Sequence, residues 1–153
     1  ATGRCPRIYR EDDLAQGTRS AGAERTAYLL RRAGLRDGAK IAVAAIKGDS
    51  LQEYYREIGQ KLCEWKRKGV TPLVVALYPR TDRRACKKLC RQVGGIFIEG
   101  LSAADWVGIF REATAVYGMR LHALIFASAA GVPFFPFGDD PKLSGFCEKV
   151  LGE

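Results

Sequence analysis

One short stretch of the sequence combines residue types that could do chemistry. Residues 118–122 read GMRLH and open a strongly apolar segment that follows a short β-type run. This pattern predicts a helix directly after a strand, so its free backbone N–H groups can hold an anion. A guanidinium in that turn can bind phosphate or carboxylate in bidentate fashion, and an imidazole, with an unperturbed pKa of about 6.5, can transfer protons at neutral pH. Arg120 and His122 are therefore the candidate catalytic residues.

Both residues also have structural interpretations. His122 is the one histidine of the chain, and a lone histidine is more often a structural residue than a catalyst. Arg120 can equally serve as a helix cap or in a surface ion pair. The position of His122 beside an arginine, at the edge where a ligand would bind, keeps the catalytic interpretation open.

A second polar stretch, GDDPK at residues 138–142, follows the last β-type run. Two carboxylates and an ammonium at a strand end can orient sugar hydroxyls or a phosphate, which makes Asp140 and Lys142 candidate substrate-binding residues. The structural alternative is equally physical, because Asp140 can cap the next helix with Pro141 at its first position.

The scaffold that positions these stretches follows from the hydrophobic pattern. Short apolar runs, typical of strands, alternate with segments whose apolar residues recur at helical spacing. The predicted strands are residues 40–46, 72–78, 95–98, a very short 115–117, and 132–137. The predicted helices are residues 22–34, 51–68 with an N-cap in the turn at 48–50, 81–93, 103–112 after Ser102, 119–130, and 142–151. The fold class is therefore α/β, a Rossmann-like three-layer sandwich with a parallel, mainly five-stranded sheet in the order 3-2-1-4-5.

Ligands of such sheets bind outside the carboxyl ends of the strands. Lys47, Tyr78 and Glu99 each lie at the carboxyl end of a predicted strand, and they complete the set of candidate substrate-binding residues. Neither a dinucleotide-binding glycine motif nor a phosphate-binding P-loop follows the first strand, and the sequence has no serine nucleophile elbow and no histidine cluster. We therefore expect neither a cofactor nor a metal.

Composition sets the remaining expectations. The 153 residues are 47% hydrophobic and 27% charged, typical of one globular domain, which we place at residues 22–153 after a poorly ordered lead-in or linker remnant at 1–21. Five cysteines without paired short spacings indicate a reducing compartment, hence a cytoplasmic location. The net charge of +8 favours anionic partners. Nucleic acid is not expected among them, because no nucleic-acid-binding motif accompanies the charge.

Residues 119–146, MRLHALIFASAAGVPFFPFGDDPKLSGF, carry a specific resemblance. They resemble the signature of the polysaccharide pyruvyltransferase family, including its cell-wall type for S-layer anchoring. The resemblance implies the C-terminal half of a GT-B-like transferase that moves the pyruvyl group of phosphoenolpyruvate onto a sugar as a ketal. Arg120 would then bind the phosphate or carboxylate of phosphoenolpyruvate, His122 would act as general acid, and Asp140 and Lys142 would shape the pocket.

Further expectations follow from the same resemblance. The partners would be phosphoenolpyruvate, a lipid-linked or polymeric sugar acceptor, and an N-terminal half or partner domain that completes the cleft. The location would be cytoplasmic, with peripheral association at the inner face of the membrane. Where relatives often carry an arginine after the first strand and a histidine after the second, this sequence has Lys47 and Tyr78.

Two other functions compete with this interpretation. The first is the nucleotide-sugar-binding half of a GT-B glycosyltransferase, in which Glu99 or Asp140 would hold the ribose. The second is a non-catalytic module that docks its positive charge on an anionic membrane surface.

Overall fold

Five parallel strands form the middle layer of the fold. The computed structural model describes residues 22–152, with side chains described to residue 150, so the predicted lead-in at 1–21 lies outside the described residues. The strands are β1 (Ile41–Ala45), β2 (Thr71–Ala76), β3 (Ile96–Glu99), β4 (Ala113–Gly118) and β5 (Phe134–Pro136). They lie in the order β3-β2-β1-β4-β5, which confirms the predicted topology.

Helices cover both faces of this sheet. They are α1 (Ala23–Ala33), α2 (Gln52–Arg67), α3 (Pro79–Val93), α4 (Ala103–Arg111), α5 (Leu121–Ala130) and α6 (Pro141–Gly152). Alternate strand residues pack into two separate hydrophobic clusters: Val43 lies in the cluster with α4 and α5, and Ala44 in the cluster with α2 and α3. The three-layer Rossmann-like prediction is thereby confirmed.

Burial on both faces explains why the strands could be recognised in the sequence. All five residues of β1 are buried, so the strand is a continuous apolar run without polar alternation. None of the helices in the described part of the chain is long and apolar enough to cross a membrane.

The fourth strand corrects the sequence analysis. We predicted a very short strand at residues 115–117, but β4 spans Ala113–Gly118 and pairs with both β1 and β5. Alanine and glycine have weak strand propensity, and the pairing with neighbours on both sides overrides it. The strand order reverses between β1 and β4, and this type of sheet binds ligands at that point.

The loop before α2 is also built differently from the prediction. Leu51, not a residue of the turn at 48–50, occupies the N-cap position, and it makes no side-chain cap. The hydroxyl of Tyr55 fixes the loop instead: it accepts from the Ser50 N–H at 2.9 Å and donates to the Lys47 carbonyl at 2.7 Å. Ser102 does cap α4 as predicted, accepting from the Asp105 N–H at 3.2 Å.

Candidate active site

A pocket of about 620 Å³ opens at the carboxyl edge of the sheet. The loops after β1, β2, β4 and β5 line it. Six of the seven predicted site residues come together there: Lys47, Tyr78, Arg120, His122, Asp140 and Lys142. These six lie between 47 and 142 in the sequence, and the ends of adjacent strands bring them to one place.

Glu99 does not line this pocket. It ends β3, the edge strand, and accepts from the Arg83 Nε–H at 2.8 and 3.1 Å. The strand order places β3 two positions away from β1, so its carboxyl end is far from the switch point. The sequence placed Glu99 at the correct edge but could not show this distance.

His122 lies exposed in the first turn of α5. Its Nδ1 atom is 2.6 Å from the hydroxyl oxygen of Tyr78, and its ring is 5.9 Å from that of Phe126. A tyrosine hydroxyl can donate to a neutral imidazole or accept from a protonated one. The hydrogen bond can therefore persist in both protonation states, and Nε2 is left without a partner among the described residues.

Arg120 stands at the N-cap position of α5 with extended backbone. Its Nε and Nη2 atoms donate to the two carboxylate oxygens of Asp82 at 2.9 and 2.6 Å, and Nη2 also donates to the Thr81 hydroxyl at 3.1 Å. The Tyr78 ring lies 4.6 Å from its Cζ, a cation–π contact. The hydrogen bond that Arg120 donates to Asp82 is the main cause that raises the pKa of Arg120, so the guanidinium stays charged.

These contacts change the expected role of the guanidinium. The bidentate contact that we expected for a ligand is made by Asp82. The Nη1 group has no partner among residues 22–150 and remains for an anion in the pocket. Tyr78 holds both predicted catalytic residues, since its ring faces Arg120 and its hydroxyl meets His122.

Asp82 is the functional residue that the sequence analysis missed. Its carboxylate is fully buried and accepts from Arg120 twice, from the Thr81 hydroxyl at 2.9 Å and from the Gly48 N–H at 2.9 Å. A buried charge is tolerated when it is paired and hydrogen-bonded in this way. A signal was present: Asp82 lies at helical spacing with Cys86, Leu89 and Val93 on the buried side of α3.

Gly48 allows the loop after β1 to meet the start of α3. A Cβ atom on Gly48 would overlap the carbonyl oxygen of Thr81. Only glycine permits so close a backbone approach, and this approach lets the Gly48 N–H reach Asp82. The loops after β1 and β4 are thus both hydrogen-bonded to the Asp82 carboxylate on α3.

The rim of the pocket is positive. Lys47, Arg80, Arg120 and Lys142 face one carboxylate, that of Asp140, among the described lining residues. Asp140 also accepts from the Lys142 N–H at 2.9 Å, so its predicted capping role at α6 is confirmed. This excess of positive charge suits a ligand with more than one negative group.

Asp139, the residue before Asp140, accepts a hydrogen bond from the Tyr54 hydroxyl at 2.6 Å and so links the loop after β5 to α2. The same hydrogen bond is the main cause that raises the pKa of Tyr54 to about 12.

None of the described cysteines lines this pocket. Burial raises the pKa of the Cys86 thiol to about 12, and its Sγ donates to the carbonyls of Ile46 and Val75 at 3.5 and 3.4 Å. Within the described part of the chain, no three side chains of the metal-binding types gather at one place.

Comparison with known families then decides the identity. The family model for polysaccharide pyruvyl transferase matches residues 14–141. The chain belongs to the polysaccharide pyruvyl transferase family. The matched span contains every predicted site residue except Lys142, and membership in this family supports a transferase. A search of curated proteins found no significant match.

Proposed function

We propose that this domain binds phosphoenolpyruvate and transfers its pyruvyl group to a sugar of a cell-wall or extracellular polysaccharide, as a ketal. The observation that supports this proposal is the joint placement of Arg120, His122 and Tyr78 in one positive pocket. This reaction needs a binding site for the donor anion and a proton donor side by side, and these three residues supply both.

Donor binding rests on the cations of the pocket. Arg120 offers its Nη1 group, and Lys47 and Lys142 approach from the loops after β1 and β5. Together they balance the carboxylate and the phosphate of phosphoenolpyruvate. Because Asp82 and Tyr78 hold the guanidinium in place before the ligand arrives, little reorganisation is required on binding.

Proton transfer is assigned to His122. The protonated imidazole gives its Nε2 proton to the methylene carbon of phosphoenolpyruvate, while Nδ1–H donates to the Tyr78 hydroxyl. Two sugar hydroxyls then form C–O bonds to the adjacent carbon, and the C–O bond to phosphate breaks. Of the two hydroxyl protons released, one restores the imidazolium and the other leaves on the phosphate.

The acceptor reaches the site from the open side of the pocket. Tyr78 is 41% exposed there, and His122 is exposed as well. We propose a lipid-linked or polymeric sugar at the cytoplasmic face of the membrane, with a second Rossmann-like unit that closes over the pocket. Water must be excluded for the oxocarbenium-like centre to react with the sugar.

The first test is calorimetric binding of phosphoenolpyruvate. Lys47→Gln should weaken binding about tenfold, because a charge-assisted contact is lost. Lys40→Gln is the matched control, since Lys40 precedes β1 at the opposite edge of the sheet; it should leave binding unchanged. Binding of uridine diphosphate in place of phosphoenolpyruvate would support the glycosyltransferase alternative instead.

The second test separates binding from chemistry. With a closing unit and an acceptor glycan supplied, His122→Gln should retain phosphoenolpyruvate binding and lose release of phosphate. Undiminished phosphate release by a folded His122→Gln protein would exclude the assigned general acid.

A further inference from the structure

A second pocket, of about 340 Å³, lies beside the first. It lies between the loop after β1 and the side of α3, and Thr81 lines both pockets. We propose that this second pocket, together with the face of α3 that leads to it, binds the phosphate-bearing part of the acceptor. The proposal rests on the proposed function, since it assigns the acceptor to that same active site.

Three cations connect the two pockets. Arg80 lines the first pocket, and Arg84 and Lys88 line the second. They are four residues apart on α3 and therefore share one face of the helix. With a rise of about 1.5 Å per residue, the row is about 12 Å long.

The fold does not use the charge of this row. Among the described residues, none of the three cations makes an ion pair. Two other cations of α3 do have partners: Arg83 pairs with Glu99, and the Nζ of Lys87 lies 5.6 Å from the centre of the Phe97 ring. Like charges four residues apart destabilise a helix, so an anion along the row would relieve a repulsion that the domain alone leaves uncompensated.

The second pocket is polar as well as positive. Ser50, Gln52 and Gln92 line it, and Asp49 is the one acidic side chain among its described lining residues. Hydroxyl and amide groups of this kind hydrogen-bond sugar hydroxyls and phosphate oxygens. A single small ion could meet only one end of a row of about 12 Å. The ligand that fits is extended, with its phosphate groups attached to the sugar that receives the pyruvyl group.

The test measures binding of inorganic diphosphate by calorimetry at low salt. The double variant Arg84→Gln/Lys88→Gln should weaken binding about tenfold. The control Lys87→Gln/Arg91→Gln removes the same charge from the same helix, outside the second pocket, and should change binding less than about twofold. Equal weakening by both double variants would overturn the proposal, because the effect would then come from net charge.

Two further arms identify the source of the phosphate and separate this proposal from the previous one. The first arm measures binding to mixed phosphatidylglycerol and phosphatidylcholine vesicles. If vesicle binding depends on Arg84 and Lys88 but diphosphate binding does not, the row is a membrane-docking face and the proposed acceptor site is overturned. Unchanged phosphoenolpyruvate affinity in Arg84→Gln/Lys88→Gln, with weaker diphosphate binding, supports two separate sites. If the protein binds diphosphate but does not bind phosphoenolpyruvate, the second pocket is still an anion site, but its proposed role in acceptor binding is overturned.

Discussion

Asp82→Asn removes the charge at the centre of the site without changing its shape. The carboxylate accepts four hydrogen bonds, two of them from Arg120. An asparagine has one acceptor oxygen and one donor amide. In its better orientation the oxygen keeps the contacts of Oδ1, and the amide points its hydrogens at the Nε–H of Arg120. One hydrogen bond is lost, and the guanidinium loses its counter-charge.

The size of the effect follows from burial. Breaking a buried ion pair by removing one partner costs about 3–5 kcal/mol, and a hydrogen bond to a charged group contributes about 1.5–3 kcal/mol. The side chain of Arg120 is 23% exposed and can reach water, so the lower part of these ranges applies. We expect a loss of about 2–3 kcal/mol in the free energy of unfolding.

Urea denaturation measures this loss. With a slope of about 1–3 kcal/mol per molar, this loss should lower the midpoint by roughly 0.7–3 M at an unchanged slope. Asp37→Asn is the control, because Asp37 also pairs with an arginine but is 76% exposed; its midpoint should not move. In the double variant with Arg120→Gln, the two losses should not add. A midpoint for Asp82→Asn equal to that of the control, or strict additivity, would refute the central role of the buried carboxylate.

Three shorter predictions concern the surrounding fold. Gly48→Ala should lower the melting temperature by several degrees, because the added Cβ would overlap the Thr81 carbonyl. Gly145→Ala is the control and should not lower it, because the space around its Cβ is open. Equal melting temperatures of the two variants would contradict the close approach of Gly48 to Thr81. Cys86 should resist iodoacetamide at pH 8 in the native protein and react after unfolding, as its raised pKa of about 12 requires; native labelling detected by mass spectrometry would argue against its burial. The hydrogen bond from Arg25 lowers the pKa of Asp105, so this carboxylate stabilises the fold above the unfolded pKa of about 3.9, and the stabilisation is lost as the pH falls through the lower folded value. Denaturation midpoints of Asp105→Asn should therefore fall less steeply than those of the wild type below about pH 4, and parallel pH profiles would show that Asp105 does not contribute.

The sequence predicted the fold well for a physical reason. Strands buried on both faces leave continuous apolar runs, and right-handed crossovers restrict how such strands can be ordered. The weak prediction was β4, where alanine and glycine carry little strand signal although the strand pairs on both sides. The start of α2 was missed because the side chain of Tyr55 replaces the usual cap.

The site was predictable only where position alone determined it. Arg120 and His122 follow β4 directly, so the rule for strand ends was enough to find them. Contacts between distant residues could not be read from spacing: Tyr78 meets His122 across 44 residues, and Asp82 meets Arg120 across 38. For the same reason, the sequence could not show that Asp82 occupies the bidentate face of the guanidinium.

The central claim is that His122 takes part in a phosphoenolpyruvate pocket, and the one histidine of the chain makes this directly measurable. The imidazole ¹⁵N signals in an NMR spectrum belong to His122 alone and can be followed as phosphoenolpyruvate is added. We predict a saturable change in those signals as the anion binds, because the imidazole would then lie against the bound phosphoenolpyruvate. The claim would be contradicted if the imidazole signals stayed unchanged up to the highest phosphoenolpyruvate concentration, both in the wild type and in Tyr78→Phe.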